Sequence, residues 1–201
     1  SVNDEKDRNK FLKIMDEEAK RMNRLIDDIL SLSKVETEEH ITPNTTISLL
    51  DPIKHIISSI NDKGLKEENK ILIEDLRDDP KKNCFISGDI DEINQVFVNL
   101  LENAIKYGFD NTNVIVRIEQ IINKEIKVSV INSGDGIPDK YIDRLTERFF
   151  RVDKARSRKI GGTGLGLAIV KHILIKHRAQ LSINSIPNQE TNFSITFPVI
   201  N

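Results

Sequence analysis

The stretch QVFVNLLENAIKY, Gln95 to Tyr107, decides how the rest of the chain is read. At 100° per residue, Val96, Phe97, Leu100, Leu101 and Ala104, with Ile93 just before them, share one broad apolar face, while Gln95, Asn99, Glu102, Asn103 and Lys106 crowd the other. That pattern predicts an amphipathic helix laid on a core. Its polar face is unusual, because asparagine is a poor interior helix former. Asn99 and Asn103 stand four residues apart with Lys106 three further on, so two amide oxygens and an ammonium fall in one line. Such a line suits a magnesium phosphate as well as it suits solvent, and this segment alone does not choose between them.

Working outward, 201 residues with 38% hydrophobic content suffice for one domain and an extra element. Thirty Lys and Arg against 32 Asp and Glu, a net charge of -2, give no global field for nucleic acid or an anionic membrane. The single cysteine, Cys84, lies in an apolar run, excludes an internal disulfide and reads as a small buried hydrophobe in a reducing cytosol. With no apolar run of membrane-spanning length and no signal peptide, the sequence predicts a soluble protein; lacking an initiator Met, it reads as a piece of a longer one.

In chain order, the polar residues Ser1 to Lys10 read as a loop before a helix from about Lys10 to Val35. Two seams run along that helix, Leu12, Met15, Ala19, Met22, Ile26 and Ile29 in one and Phe11, Met22, Leu25, Ile29 and Leu32 in the other. So wide a stripe asks for several partner helices, as in a four-helix bundle, or else for packing on the domain that follows. Thr37 to Thr46 is the natural linker. A strand at Thr46 to Leu50, a helix capped by Asp51-Pro52 and running to about Lys63, and strands at Ile71 to Glu74 and Phe85 to Ser87 come next, before Asp89 caps the central helix.

Alternation at Val114, Val116 and Ile118 and at Ile126, Val128 and Val130 predicts two strands joined around Asn123-Lys124. One step further, Asn132 points inward where apolar residues pointed before, at the start of NSGDGIP. Gly134 and Gly136 there allow a tight turn or a close backbone approach, and Pro138 opens a short helix. A basic run at Lys154, Arg156, Arg158 and Lys159 reads as a mobile loop. Gly161-Gly162-Thr163-Gly164-Leu165-Gly166 then opens a helix, which would aim backbone N–H groups and the positive dipole end at an anion. It is neither a Walker loop nor a dinucleotide fingerprint, having neither the Lys-Ser/Thr nor the spacing after a strand. Strands at Gln180 to Ile186 and Phe193 to Val199, bridged by Pro187 to Asn192, close the chain.

These stretches together resemble the sensor histidine kinases. NLLENAIKY is similar to their N box, NSGDGIP to the first glycine box, ERFFRVD to the F box and GGTGLGLAIV to the second glycine box, in the same order. FLKIMDEEAKRMNRLIDDILSLSKVE resembles the second helix of their dimerisation and phosphotransfer bundle. The resemblance implies a two-layer α/β sandwich of the histidine kinase, gyrase and chaperone ATPase type, preceded by one long bundle helix. Residues 1–40 would be the partial bundle helix with its linker, and residues 41–201 the ATP-binding catalytic domain.

By matching position, Asn103 would coordinate Mg²⁺, Asn99 and Lys106 would lie near the phosphates of ATP, and Tyr107 would lie against the adenine. Asn132 would meet the adenine, and Gly134, Gly136 and Ile137 would also bind the nucleotide. Phe149 and Phe150 would anchor the lid, Arg151 would contact phosphate, and Gly162, Thr163, Gly164, Leu165 and Gly166 would cradle it. The implied partners are a response-regulator receiver domain and a second copy through the helical bundle, with no nucleic acid. The implied location is cytoplasmic, this piece having no membrane segment even if the complete protein is anchored.

Two departures stand out. Asn132 replaces the adenine-reading aspartate, which changes a pure acceptor into an amide that turns either way. No His-Glu or His-Asp phosphoacceptor motif is present, and His40, His55, His172 and His177 read as surface or structural residues. The chain is therefore expected to bind ATP for transfer to a histidine it does not carry. A degenerate kinase used as a binding module is the alternative. An ATP-hydrolysing relative of the gyrase and chaperone type is the third reading, but a water-activating glutamate would be needed where Asn99 stands.

Overall fold

The alternation in Val114 to Ile118 and Ile126 to Val130 becomes the centre of a mixed sheet. The structure, a computed structural model, describes residues 2–62, 70–80, 84–121, 125–153 and 162–200. Its elements are α1 (Val2–Thr37), β1 (Thr46–Ser48), α2 (Leu50–Asp62), β2 (Ile71–Asp75), β3 (Phe85–Ser87), α3 (Ile90–Tyr107), β4 (Val114–Ile121) and β5 (Glu125–Ser133), then a 3-10 helix (Asp139–Arg144), α4 (Gly166–Lys176), β6 (Gln180–Ile186) and β7 (Glu190–Pro198). Strand order is β2-β4-β5-β7-β6, with β2 parallel to β4 and every other pairing antiparallel; β1 and β3 form a separate two-stranded ribbon.

The inward face of the sheet presents Val116, Ile118, Ile126, Val128, Val130, Ile195 and Phe197, all essentially inaccessible, to the apolar faces of α2, α3 and α4. Each such side chain contributes about 1.5–3 kcal/mol by leaving water. Phe97 of α3 meets Phe197 of β7 with ring centroids 6.4 Å apart, so the central helix is keyed to the sheet through its aromatic pair. The result is the expected two-layer α/β sandwich with a long helix in front. Asp89 caps α3, its carboxylate accepting from the N–H groups of Asp91 and Glu92 at 2.9 and 3.1 Å.

Several boundaries differ from the sequence expectation. α1 starts at Val2, not near Lys10, because the charged opening contains neither Gly nor Pro and its charges can pair across a turn, as Arg8 and Glu5 do at 3.7 Å. α2 starts at Leu50, so Asp51 and Pro52 lie inside the first turn, where no N–H is required of proline. β7 starts at Glu190, not Phe193, shrinking the hairpin loop to residues 187–189 with Asn188 left-handed at φ 57°. Cys84 is half-buried rather than buried, its Sγ 3.1 Å from Nη1 of Arg77, whose Nε and Nη2 donate to Asp75. The turn at Asn123-Lys124 and the basic run at Lys154 to Lys159 lie outside the described residues.

The stripe of α1 divides in two. Leu32 and Val35 are buried and Leu25 packs on the core, whereas Phe11, Leu12, Met15, Met22, Ile26 and Ile29 are exposed. Packing on the following domain therefore holds for the last turns only. Among the described residues no helix is long and apolar enough to cross a membrane.

Candidate functional site

A cleft of about 550 Å³ opens where α3, the end of β5 and the start of α4 converge. Register explains its floor. Val116, Val130, Phe193 and Ile183 form an apolar row across β4, β5, β7 and β6, but the next inward row is Val114, Asn132, Thr191 and Ser185. Within one step the face of the sheet changes from apolar to polar. Asn132 is only 4% exposed, and its Nδ2 makes just a long contact, 3.4 Å, to the Ser133 carbonyl. Ser185 Oγ accepts from the Ile137 N–H at 2.9 Å and lies 2.9 Å from Thr191 Oγ1, which ties the turn after β5 to the β6–β7 hairpin.

The wall facing this floor is α3. Asn99, Asn103, Lys106 and Tyr107 all line the cleft. Asn99 Nδ2 donates to the Gln95 carbonyl at 3.0 Å, leaving Oδ1 against the start of α4; a Cβ on Gly166 would stand 2.6 Å from it, so the helices approach this closely only over a glycine. Lys106 Nζ is 2.6 Å from a Glu102 carboxylate oxygen, so the ammonium at the rim already has a partner.

Glycine geometry shapes both rims. Gly134 bridges Gly108 at the end of α3, and a Cβ there would meet the Tyr107 carbonyl at 2.6 Å. On the far side the Phe149 N–H donates to the Gly164 carbonyl at 2.9 Å, pinning together the ends of the segment between them; Gly164 itself is left-handed at φ 77°. Phe150 lines the cleft, tilted against Tyr141 at 5.9 Å and under the Arg144 guanidinium at 4.3 Å. Arg151 also lines the cleft, and its Nη2 is buried with no hydrogen-bond partner among the described residues. A buried cationic donor left unmatched costs free energy unless an anion meets it, so the site is chemically fitted to a phosphate. The glycine-rich N-terminus of α4, with Gly162, Gly164 and Gly166 lining the cleft and Gly162 without close contacts, points to the same ligand.

Of the residues singled out from sequence, the cleft gathers Asn99, Asn103, Lys106, Tyr107, Asn132, Gly136, Ile137, Arg151, Gly162, Thr163, Gly164 and Gly166. Gly134 stands behind it, Leu165 is wholly in the core, and the Phe149 side chain is 57% exposed. Gly161 lies outside the described residues. Thr191 and Phe193 line the floor unanticipated, although extending the β7 alternation back from Phe193 would have found Thr191. Arg24 and Asp28 of α1 also line the cleft, and Thr163 Oγ1 donates to Asp28 at 2.6 Å.

Beside the cleft, α1, α3 and α4 share an ionic cluster. Lys176 Nζ lies 2.7 Å from Glu92 and 2.9 Å from Glu38; burial alone would lower its pKa, but the two carboxylates outweigh it and the pKa is raised. His177 is buried, with Nδ1–H donating to the Ile173 carbonyl at 2.8 Å and Nε2 accepting from the Asp89 N–H at 3.0 Å. Both nitrogens are engaged in the neutral tautomer, and burial pushes its pKa below the ordinary value. His172 sits between Glu36 and Glu39, and His40 and His55 are exposed.

A sandwich whose polar sheet end, amide-bearing helix and glycine-rich helix start enclose an anion-seeking arginine defines a nucleotide-binding ATPase fold. Residues 88–201 match the family described as histidine kinase-, DNA gyrase B- and HSP90-like ATPase, and the chain belongs to that family. The chain is 37% identical over 189 residues, 94% of its length, to the sensor protein kinase WalK of Staphylococcus aureus, and the match covers 44% of that relative. Against WalK of strain JH9 the identity is the same and the share is 30%, so the chain spans less than half of the curated relatives it matches. In fold it is similar to the mycobacterial sensor histidine kinase MprB (TM-score 0.65, 23% identity, 78% of this chain and 97% of that one). It is also similar to the Acinetobacter baumannii histidine kinase AdeS (TM-score 0.68, 20% identity, 91% and 81%).

Proposed function

We propose that the chain is the ATP-binding catalytic portion of a sensor histidine kinase, which transfers the γ-phosphoryl of ATP to a histidine on another helix for relay to a response-regulator receiver domain. Residues 1–40 are then the second helix of a dimerisation and phosphotransfer bundle with its linker, and 41–201 the catalytic domain. The observation that carries the reading is the buried Arg151 Nη2, without a hydrogen-bond partner among the described residues, in a cleft with a polar amide floor and a glycine-rich helix start. The likeness to WalK along nearly the whole chain supports it.

In this reading Asn132 and Thr191 receive the base at the sheet end, with Tyr107 and Ile137 beside it. Asn99, Lys106, Arg151 and the backbone of Gly162 to Gly166 take the polyphosphate, Thr163 offering its hydroxyl. Asn103 would offer its amide oxygen to Mg²⁺, a hard cation suited to such a ligand. The ion's contribution is to neutralise charge on the phosphates; the chain positions and shields them. Asn99 stands where a water-activating glutamate would be needed, and Glu102 is engaged with Lys106.

The test is direct. ATP with Mg²⁺ raises the melting temperature of the chain, and the chain phosphorylates, in trans, a histidine-bearing first helix of a kinase bundle, giving acid-labile phosphate. Binding without transfer to any such helix would move the reading to a nucleotide-binding module; absence of binding would end it.

A further inference from the structure

The polar row at the cleft floor carries no charge. Among the strand residues that line the cleft only Asn132 and Thr191 are polar, and they stand opposite each other across β5 and β7. The carboxylates of the lining, Asp28, Glu102, Asp135 and Asp153, belong to helices and loops instead. Both floor groups can meet a ligand as donor or as acceptor. The Asn132 side chain is 4% exposed and its Nδ2 has only the 3.4 Å contact to the Ser133 carbonyl, so turning the amide over exchanges N–H for oxygen at little loss. Thr191 reverses by another route. Its Oγ1 lies 2.9 Å from Ser185 Oγ, with either atom able to donate, and Ser185 Oγ also lies 2.9 Å from the Glu190 carbonyl oxygen. With the Ser185 proton on that carbonyl, Thr191 donates to Ser185 and keeps a lone pair for the cleft. With the Ser185 proton on Thr191, the Thr191 proton is released to a ligand.

Purine edges come in two patterns. Adenine sets a 6-amino donor beside an N1 acceptor, whereas guanine and hypoxanthine set a 6-oxo acceptor beside an N1–H donor. A carboxylate, which only accepts, would serve the first pattern alone. We infer that this floor admits 6-amino and 6-oxo purines alike, because the Asn132 amide and the Thr191–Ser185 hydroxyl pair both reverse polarity, so that GTP and ITP occupy the cleft in place of ATP. The inference rests on reading the cleft as a nucleotide site and assigns the bases that site accepts.

The test is calorimetry of the Mg²⁺ complexes of ATP, ITP, GTP and UTP with the wild-type chain, Asn132→Asp and Thr191→Val. ITP decides, because it differs from ATP only in the 6-substituent and the N1 proton. In the wild type ITP binds within about fivefold of ATP, no more than the weight of one net hydrogen bond, and GTP follows it; UTP is weaker than ATP by about tenfold or more. Asn132→Asp, unable to donate to a 6-oxo group, loses ITP and GTP by about tenfold or more against ATP. Thr191→Val weakens ATP and ITP by similar factors. A wider wild-type gap between ATP and ITP, UTP binding as tightly as ATP, or an Asn132→Asp variant with unchanged preference overturns the inference and leaves the nucleotide reading standing. The wild-type comparison stands by itself should either variant fail to fold. No binding of any of these triphosphates overturns both.

Discussion

Gly136 offers the sharpest quantitative test of how the cleft is built. Its φ of +71° is one that an L side chain adopts at a cost of about 1–2 kcal/mol. A Cβ there would also meet the Ile186 carbonyl oxygen at 2.7 Å and the Pro187 Cα at 2.8 Å, both backbone atoms of the β6–β7 hairpin, which cannot swing aside as a side chain would. Relieving those contacts requires the hairpin to move, which would disturb the Ile137–Ser185 hydrogen bond at 2.9 Å, a loss of about 1 kcal/mol. Against this, Ala narrows the unfolded ensemble by about 0.4–1 kcal/mol relative to Gly. The balance is a net destabilisation of about 1–2.5 kcal/mol for Gly136→Ala, the sum of strain and lost bond less the entropy term.

Urea unfolding, read by midpoint shift at constant slope, measures it. Gly162→Ala is the matched control, because a Cβ there finds only Arg151 Nη2 at 3.6 Å and the Tyr107 hydroxyl at 3.8 Å, ordinary contacts. It should leave stability within about 0.5 kcal/mol of wild type. If Gly136→Ala proved as stable as Gly162→Ala, the claim that this turn is locked by backbone approach would be wrong.

Other outcomes follow from the same structure. Arg151→Gln should weaken nucleotide binding by about 2–3 kcal/mol while leaving stability unchanged or improved, since it removes a buried Nη2 that has no hydrogen-bond partner among the described residues; titration calorimetry and a thermal melt check the two halves. Asn132→Asp should favour ATP over GTP more strongly than wild type, by about 1–3 kcal/mol, and unchanged preference in competition titrations would refute the role given to the amide. His177 has a folded pKa below its unfolded one, so the unfolded chain binds the extra proton first. Its contribution to stability is full above about pH 6.5 and is lost as the pH falls from there through the folded value; His177→Gln should flatten that part of the stability profile. Phe97→Ala, which empties the aromatic contact with Phe197, should cost about 3–5 kcal/mol in urea unfolding.

Much of this was legible in the residues because the signals were local. The helical period of α3 put Asn99, Asn103 and Lys106 in one line, the family resemblance added Tyr107, and strand alternation carried Asn132 inward from Val130; all five line the cleft. What escaped was long-range. Nothing near Asp28 marks it as a neighbour of Thr163, 135 residues away, because an acidic residue on a helix flank reads as solvated whatever later packs against it. The early start of α1 was hidden for a related reason: a helix held by its own charges has no apolar period to betray it. Thr191 was missed by ending the strand pattern at its last apolar residue.

The parallel pairing of β2 with β4 has a practical consequence for anyone cutting this protein. The family match begins at residue 88, yet β4 is zipped along one side by Ile71–Asp75, and Leu50, Ile53 and Ile57 of α2 roof the same core. Trimming to the matched region would bare a flat strand margin over a greasy underside, the geometry that invites chains to stick to one another. A self-sufficient piece has to reach back to about Thr46, and the recombinant fragment that stops short of it should precipitate where the longer one stays in solution.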